Sequence, residues 1–235
     1  MFDRLLQLLF PRTCLSCGKF GRYCCSSCEK KLVRITTPIC PVCTRPAMDG
    51  ATHPRCMTRY SLDGLVSCFR YTGLIKKAIK QLKYGKVSDI AAEIGSLCSH
   101  EITNSPSHNF RSFTLFLQTR PVVIPIPLHW RKKQSRWFNQ SELLGKHVAE
   151  HIGVEMNTDL LVRSIFTKPQ TGQTKEDRLR NMKGVFSVET SLTRHVPKHI
   201  ILVDDVWTTG ATMREAGNVL KRSGVQRVWG VTVAR

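Results

Sequence analysis

The apolar positions of this chain fall in short runs whose spacing predicts strands alternating with helices. In TGLIKKAIKQLKYGK (residues 72–86), Ile75, Ala78, Ile79 and Leu82 recur at helical spacing, while Lys76, Lys77, Lys80 and Lys83 occupy the opposite face. PVVIPIPLHW (121–130) is a β-branched run read as a buried strand closed by Pro125 and Pro127. A helix is expected from about Ser141 to His151, with Asn139 or Ser141 as its cap. The chain then closes as strand Ile200–Val203, a short loop, helix MREAGNVLKRSG and strand VWGVTVA. Strand, helix and strand in that order imply a parallel sheet flanked by helices, an α/β fold. Between these elements, 99–112, the basic and aromatic RKKQSRWFNQ (131–140) and the mobile 168–184 lack an apolar period and read as loops.

The front of the chain follows another pattern. Of the ten cysteines, seven fall in paired spacing within residues 14–56, as Cys14/Cys17, Cys25/Cys28 and Cys40/Cys43, with His53/Cys56 as a fourth pair at the same spacing. A C-x-x-C turn presents two side chains to one tetrahedral ion, so eight such ligands suffice for two Zn²⁺ ions. Sequential pairing gives Cys14/Cys17/Cys25/Cys28 and Cys40/Cys43/His53/Cys56, a double zinc ribbon. Interleaved pairing gives a crossed brace, and the short gaps within each sequential set favour the ribbon. Cys24 is adjacent to Cys25, but its spacing to Cys28 is wrong for the knuckle, while Cys68 and Cys98 sit among apolar residues and read as core. A module this small needs its metal to fold, which assigns these sites a structural role. The organisation is thus a zinc module over 1–60 and an α/β domain over 61–235.

Composition adds a constraint on partners. Lys and Arg number 36 against 17 Asp and Glu, a net charge of +19 spread along the chain, which favours a polyanionic partner and above all nucleic acid. No segment approaches the roughly 20 apolar residues that span a bilayer. The opening MFDRLLQLLF reads as a short amphipathic helix, without the longer apolar region of a signal peptide. A cytoplasmic location and reduced thiols are therefore expected.

The strongest chemical signal is HIILVDDVWTTGATMREAG (199–217). In a parallel sheet, ligands bind beyond the carboxyl ends of the strands, where Asp204 and Asp205 fall. The following Thr208-Thr209-Gly210-Ala211-Thr212 turn opens a helix, so its free N–H groups form a phosphate cradle. Phosphate in the loop and diol hydroxyls on the carboxylates describe a phosphorylated sugar. A nucleotide triphosphatase would need G-x-x-x-x-G-K-[ST], and the three Gly-Lys steps are followed by Phe, Val and His.

This segment resembles the 5-phosphoribosyl diphosphate (PRPP) motif of type I phosphoribosyltransferases, an apolar run followed by D-D-x-x-T-T-G-x-T. IPIPLHWRKKQSRWFNQS, Lys80-Gln81-Leu82-Lys83-Tyr84 and the stretch from Arg178 to Phe186 resemble, in order, segments of one branch of that superfamily, the ComF competence family with its GntX relatives. The resemblance covers essentially the full length. Trp137 stands where the family pattern R-G-F-N-Q has Gly, and Trp207 is a bulky residue in the phosphate loop.

The resemblance implies a type I phosphoribosyltransferase-like sheet, with Asp204 and Asp205 on ribose hydroxyls and Thr208 to Thr212 on the 5-phosphate. Two functions follow. One is handling of incoming single-stranded DNA during natural transformation, with a PRPP-type ligand as cofactor or regulator. In that case Arg131, Lys132, Lys133 and Arg136, interleaved with Trp137 and Phe138, offer cations for phosphates and rings for bases. The other is phosphoribosyl transfer from PRPP with Mg²⁺, the 168–184 loop closing and Lys175, Arg178 and Arg180 stabilising the leaving diphosphate. The same basic loop would then clamp diphosphate. No general acid or base is identifiable, so the sequence leaves enzymatic activity open. A weaker third reading is a zinc-ribbon adaptor that docks on a helicase, the uptake machinery or recombination proteins.

Overall fold

The computed structural model describes residues 11–85, 87–104, 110–165, 175–189, 191 and 196–235, with the backbone alone for Asn104, Lys132, Lys175, Glu176, Arg178 and Leu179. The expected amphipathic opening helix, residues 105–109 and the 168–174 stretch lie outside the described residues.

The described elements run in chain order as α1 (Ser26–Glu29), β1 (Gly64–Phe69), α2 (Gly73–Tyr84), α3 (Ile90–Asn104), α4 (Arg111–Leu117), β2 (Val122–Pro125), α5 (Trp130–Arg136) and α6 (Gln140–Ile152). They continue as β3 (Leu161–Arg163), α7 (Lys175–Met182), β4 (Phe186–Val188), β5 (His199–Val206), α8 (Ala211–Arg222) and β6 (Arg227–Ala234). Four strands form one parallel sheet in the order β1-β6-β5-β2, and β3 pairs antiparallel with β4. The fold is therefore α/β with helices flanking a parallel sheet, preceded by the Cys-rich module.

Strand periodicity divides the core between the two sheet faces. Val66, Ile201, Val203 and Val231 pack with Ile75, Ile79 and Leu82 of α2, Ile94 and Cys98 of α3 and Leu144 of α6. Leu65, Ile200, Leu202 and Val228 turn to the other face, against Met213, Ala216 and Leu220 of α8 and Phe186 of β4. A strand covered on both faces is a continuous apolar run, as β5 is from Ile200 to Val203.

Both sheet edges are covered. Outside β2, Val123 N–H donates to Glu155 O at 2.8 Å, and Asn157 N–H donates to Val123 O at 2.9 Å. Outside β1, the Cys-rich module supplies the partner: Ile35 N–H donates to Cys68 O at 3.0 Å, and Arg70 N–H donates to Val33 O at 2.8 Å. Exposed strand edges are templates for mispairing, and here the zinc module shields one of them.

The structure differs from the sequence expectations in four places. Residues 99–104 continue α3, because Cys98 and Ile102 extend the buried stripe begun by Ile90 and Ile94. Arg111–Leu117 forms α4, driven by Phe113 and Phe116 packing on Trp229 with ring centroids 5.4 and 6.0 Å apart. The 131–140 loop holds the short helix α5, whose cap is His129 Nδ1 accepting from Arg131 N–H at 3.3 Å. Residues 175–182, expected in a mobile loop, form α7, and Met182 is buried in the α8 face of the core.

Candidate functional site

The two front clusters are assembled as the sequential pairing requires. The ligand atoms of Cys14, Cys17, Cys25 and Cys28 lie within 4.8 Å of one another, and so do those of Cys40, Cys43, His53 and Cys56. Tetrahedral zinc with metal–sulfur bonds near 2.3 Å sets ligand atoms about 3.6–3.8 Å apart. Cys17 Sγ and Cys25 Sγ are 3.6 Å apart, and Cys43 Sγ and His53 Nδ1 are 3.3 Å apart, so both sets fit zinc. His53 Nε2 lies 2.9 Å from Pro46 O. A carbonyl only accepts, so Nε2 carries the proton and Nδ1 presents its lone pair to the metal. Cys24 stands outside the first set; its backbone N–H donates to Glu93 Oε2 at 2.9 Å, tying the module to α3. Cys68 and Cys98 are buried in the core, as expected.

At the far end of β5, pairing with β6 continues through Val206, so Asp204 and Asp205 are held within a strand rather than in a free turn. Asp204 Oδ1 accepts from Ser141 Oγ–H and from Asp205 N–H, each at 2.8 Å. Burial and the neighbouring charge of Asp205 raise its carboxyl to about 6, against the opposing effects of Lys83, Ser141 and the Asp205 amide. Asp205, 3% exposed, turns to Lys83, whose Nζ lies 2.8 Å from Oδ1 and 2.7 Å from Oδ2. Burial works against the Lys83 charge, but Asp205 and then Asp204 outweigh it and raise its pKa.

The residues from Thr208 to Thr212 wrap the same strand end. Asp204, Trp207, Thr208, Gly210, Ala211, Thr212 and Thr232 line a small cleft whose enclosed part is about 20 Å³, the size of one water. Thr209 Oγ1 accepts from Ala211 N–H at 3.4 Å. Gly210 is the N-cap of α8 at φ 75°, and a Cβ there would lie 2.2 Å from the Trp207 ring. Both the left-handed backbone and the buried indole therefore require glycine.

Three members of this site escape a reading by sequence pattern. Lys83 belongs to the polar face of an amphipathic helix and reads there as solvated, yet it is the ion-pair partner of Asp205. Ser141 reads as a cap candidate, but the cap is Asn139, which accepts from Ser141 N–H and thereby aims the Ser141 hydroxyl at Asp204. Arg163, on β3, carries no motif; burial lowers its pKa against the pull of Asp204, and its guanidinium lies 5.6 Å from the Phe186 ring centre. The available signal was the presence of Lys83 in a segment of family resemblance; Arg163 had none.

The basic candidates separate into two groups. Arg136 donates to Gln140 Oε1 at 3.0 Å and lies over the Tyr84 ring at 5.3 Å, which joins α5 to the end of α2 beside Lys83. Arg131 lies over Trp130 at 5.2 Å, and Lys133 pairs loosely with Glu142 at 3.6 Å. On α7, Arg180 pairs with Asp177 at 2.8 Å, while the side chains of Lys175 and Arg178, like that of Lys132, lie outside the described residues. Gly184 N–H donates to Glu215 Oε1 at 2.8 Å, holding the end of the α7 segment against α8. Trp137 occupies the αL position after α5 at φ 72°. That is the conformation glycine favours, which explains the Gly of the family pattern and places a 79% exposed indole here at some backbone cost.

Among the described residues, no helix is long and apolar enough to cross a membrane. Residues 5–57 match the double zinc ribbon domain family. The chain is 33% identical to the DNA utilization protein YhgH of Salmonella typhimurium, over 87% of this chain and 86% of that protein. It is 27% identical to Competence protein F of Haemophilus influenzae, over 89% and 90% of the two chains. Competence protein ComFC of Bacillus subtilis is 28% identical over 85% of this chain and 78% of its own. With two zinc clusters in front of a parallel sheet and this likeness along nearly its whole length, the chain belongs to the family of the DNA utilization and ComF competence proteins.

Proposed function

We propose that this protein serves natural transformation, binding incoming single-stranded DNA in the cytoplasm and carrying a separate site for a PRPP-type sugar phosphate. The competence and DNA-utilization names of its relatives support the biological role. The observation that carries the DNA reading is a set of exposed rings among cations: Tyr84, Trp130 and Trp137 are 74, 57 and 79% exposed, with Arg131 against Trp130 and Arg136 against Tyr84. Exposed rings offer planes for unpaired bases, and the cations track the backbone. The net charge of +19 reinforces it.

For the sugar phosphate, Asp204 is the carboxylate at the cleft and the loop from Thr208 to Thr212 caps the helix end. The enclosed space takes one water, so a phosphate would sit at the mouth, against the first-turn N–H groups of α8. Mg²⁺ would accompany the diphosphate of PRPP. A phosphoribosyltransferase remains the second reading, supported by α7, which carries Arg180 and leads to Gly184, where the backbone is held to Glu215 of α8, the helix that opens at the loop. Residues 1–60 form the zinc module and 61–235 the phosphoribosyltransferase-like domain, a division supported by the zinc-ribbon match that ends at residue 57.

The test is titration of a labelled single-stranded oligonucleotide into zinc-loaded protein at 50 and 200 mM salt, with and without PRPP and Mg²⁺. Binding that weakens by about 10³-fold or more across that range supports the reading, since several phosphates are then neutralised. Absence of binding at 50 mM salt overturns it. Release of diphosphate from PRPP with a nucleobase acceptor, lost in Asp204→Asn, would establish the enzymatic reading instead.

A further inference from the structure

The second zinc cluster and the phosphate loop meet at one side chain. Arg214 lies in the first turn of α8, and its Nε donates to Pro41 O at 2.5 Å, inside the Cys40-Pro41-Val42-Cys43 knuckle. Its guanidinium carbon lies 5.5 Å from the centre of the Trp207 ring, which is 4% exposed and packs under Gly210. Nη2 is fully buried and has no hydrogen-bond partner among the described residues. Burial works against the charge, and Cys40 and Cys43 are the groups that favour it.

A buried guanidinium N–H without a partner carries a desolvation penalty, so its retention calls for a compensating negative charge close by. Three thiolates and a neutral imidazole around Zn²⁺ carry one net negative charge, in a knuckle where Cys40 is buried and the other ligands are half-buried. A guanidinium is a rigid cation that donates and stacks at once. We propose that Arg214 is the charge-compensating outer partner of the Cys40/Cys43/His53/Cys56 zinc, held against the knuckle through Pro41 O, and that it fixes Trp207 beneath the phosphate loop. The zinc module is thus a positioning device for the loop as well as a cover for the sheet edge. Outer partners of metal ligands typically change metal affinity by about 10–100-fold.

The experiment uses the full chain loaded with cadmium-113, whose magnetic resonance distinguishes an S₄ from an S₃N ligand set. In Arg214→Met, the S₃N resonance is expected to shift and that ion to leave to a chelator roughly 10-fold faster or more. The S₄ resonance should stay in place and serves as the control for folding. Trp207 reports the second half of the proposal: its indole N–H signal, assigned with Trp207→Phe, should move when zinc is exchanged for the larger cadmium. In Arg214→Met that movement should disappear. An S₃N resonance and release rate unchanged in Arg214→Met overturn the compensating role; an equal Trp207 response in both proteins overturns the link to the loop.

Discussion

Asp204 illustrates how one residue serves a site at the expense of stability. Its carboxyl is raised from an ordinary 3.8 to about 6, by burial first and by Asp205 second. Folding therefore favours the protonated form: that contribution is complete below pH 3.8 and is lost as pH rises through about 6. Asp204→Asn keeps an oxygen to accept from Ser141 and the Asp205 amide but has no charge to desolvate. It is expected to be more stable than the native protein by roughly 1–3 kcal/mol at pH 7.5, with the difference vanishing below about pH 4. Urea denaturation across that range measures it; a less stable variant at pH 7.5 would mean that the carboxylate is well compensated by Lys83. The pair of acids was legible from the chain, because an apolar run ending in two carboxylates and a T-T-G-x-T turn is rare chemistry. Their division of labour, Asp205 to Lys83 and Asp204 to the cleft, was not legible, because it depends on which neighbour each side chain meets.

Element boundaries were legible where burial follows a single period. The α2 face of Ile75, Ala78, Ile79 and Leu82 is buried as its spacing predicts, and α6 spans Gln140–Ile152 against an expected 141–151. Helices α4, α5 and α7 were missed for a common reason: each is seven or eight residues long and gains its stability from tertiary contacts, too few turns for a period to emerge. The N-cap of α6 joins two elements. Asn139 Oδ1 accepts from Ser141 N–H at 3.1 Å, and its Nδ2 donates to Ile126 O at 3.1 Å. Asn139→Ala removes the cap and strands a buried carbonyl, which should cost about 1–3 kcal/mol in chemical denaturation. If Asp204 binds a sugar phosphate as proposed, the variant should also weaken that binding through loss of the Ser141 aim, whereas Asn139→Asp, which keeps the capping oxygen, should recover part of the stability. Stability unchanged in the alanine variant would show that another group caps the helix.

Over the whole molecule, the zinc module is joined to the sheet by backbone pairing along the β1 edge. Chelation of both metals should release the 33–35 segment from β1 and expose that edge, with cleavage by a nonspecific protease within residues 11–60 accelerating by at least about 10-fold. Mass analysis of the fragments decides it: cleavage spread evenly over the chain would show that the sheet depends on the metal as much as the module does. The amino-acid sequence by itself determined the α/β class, the eight metal ligands at their spacing and the acidic and phosphate-loop motif. Each is encoded in residues close along the chain, where periodicity and short-range geometry suffice. Only the tertiary structure decided that Lys83 neutralises Asp205, that Ser141 holds Asp204 and that Arg214 reaches the second zinc knuckle. Those pairs are separated by tens to more than a hundred residues, and it is the packing of the sheet, with its covered edges, that brings them into contact.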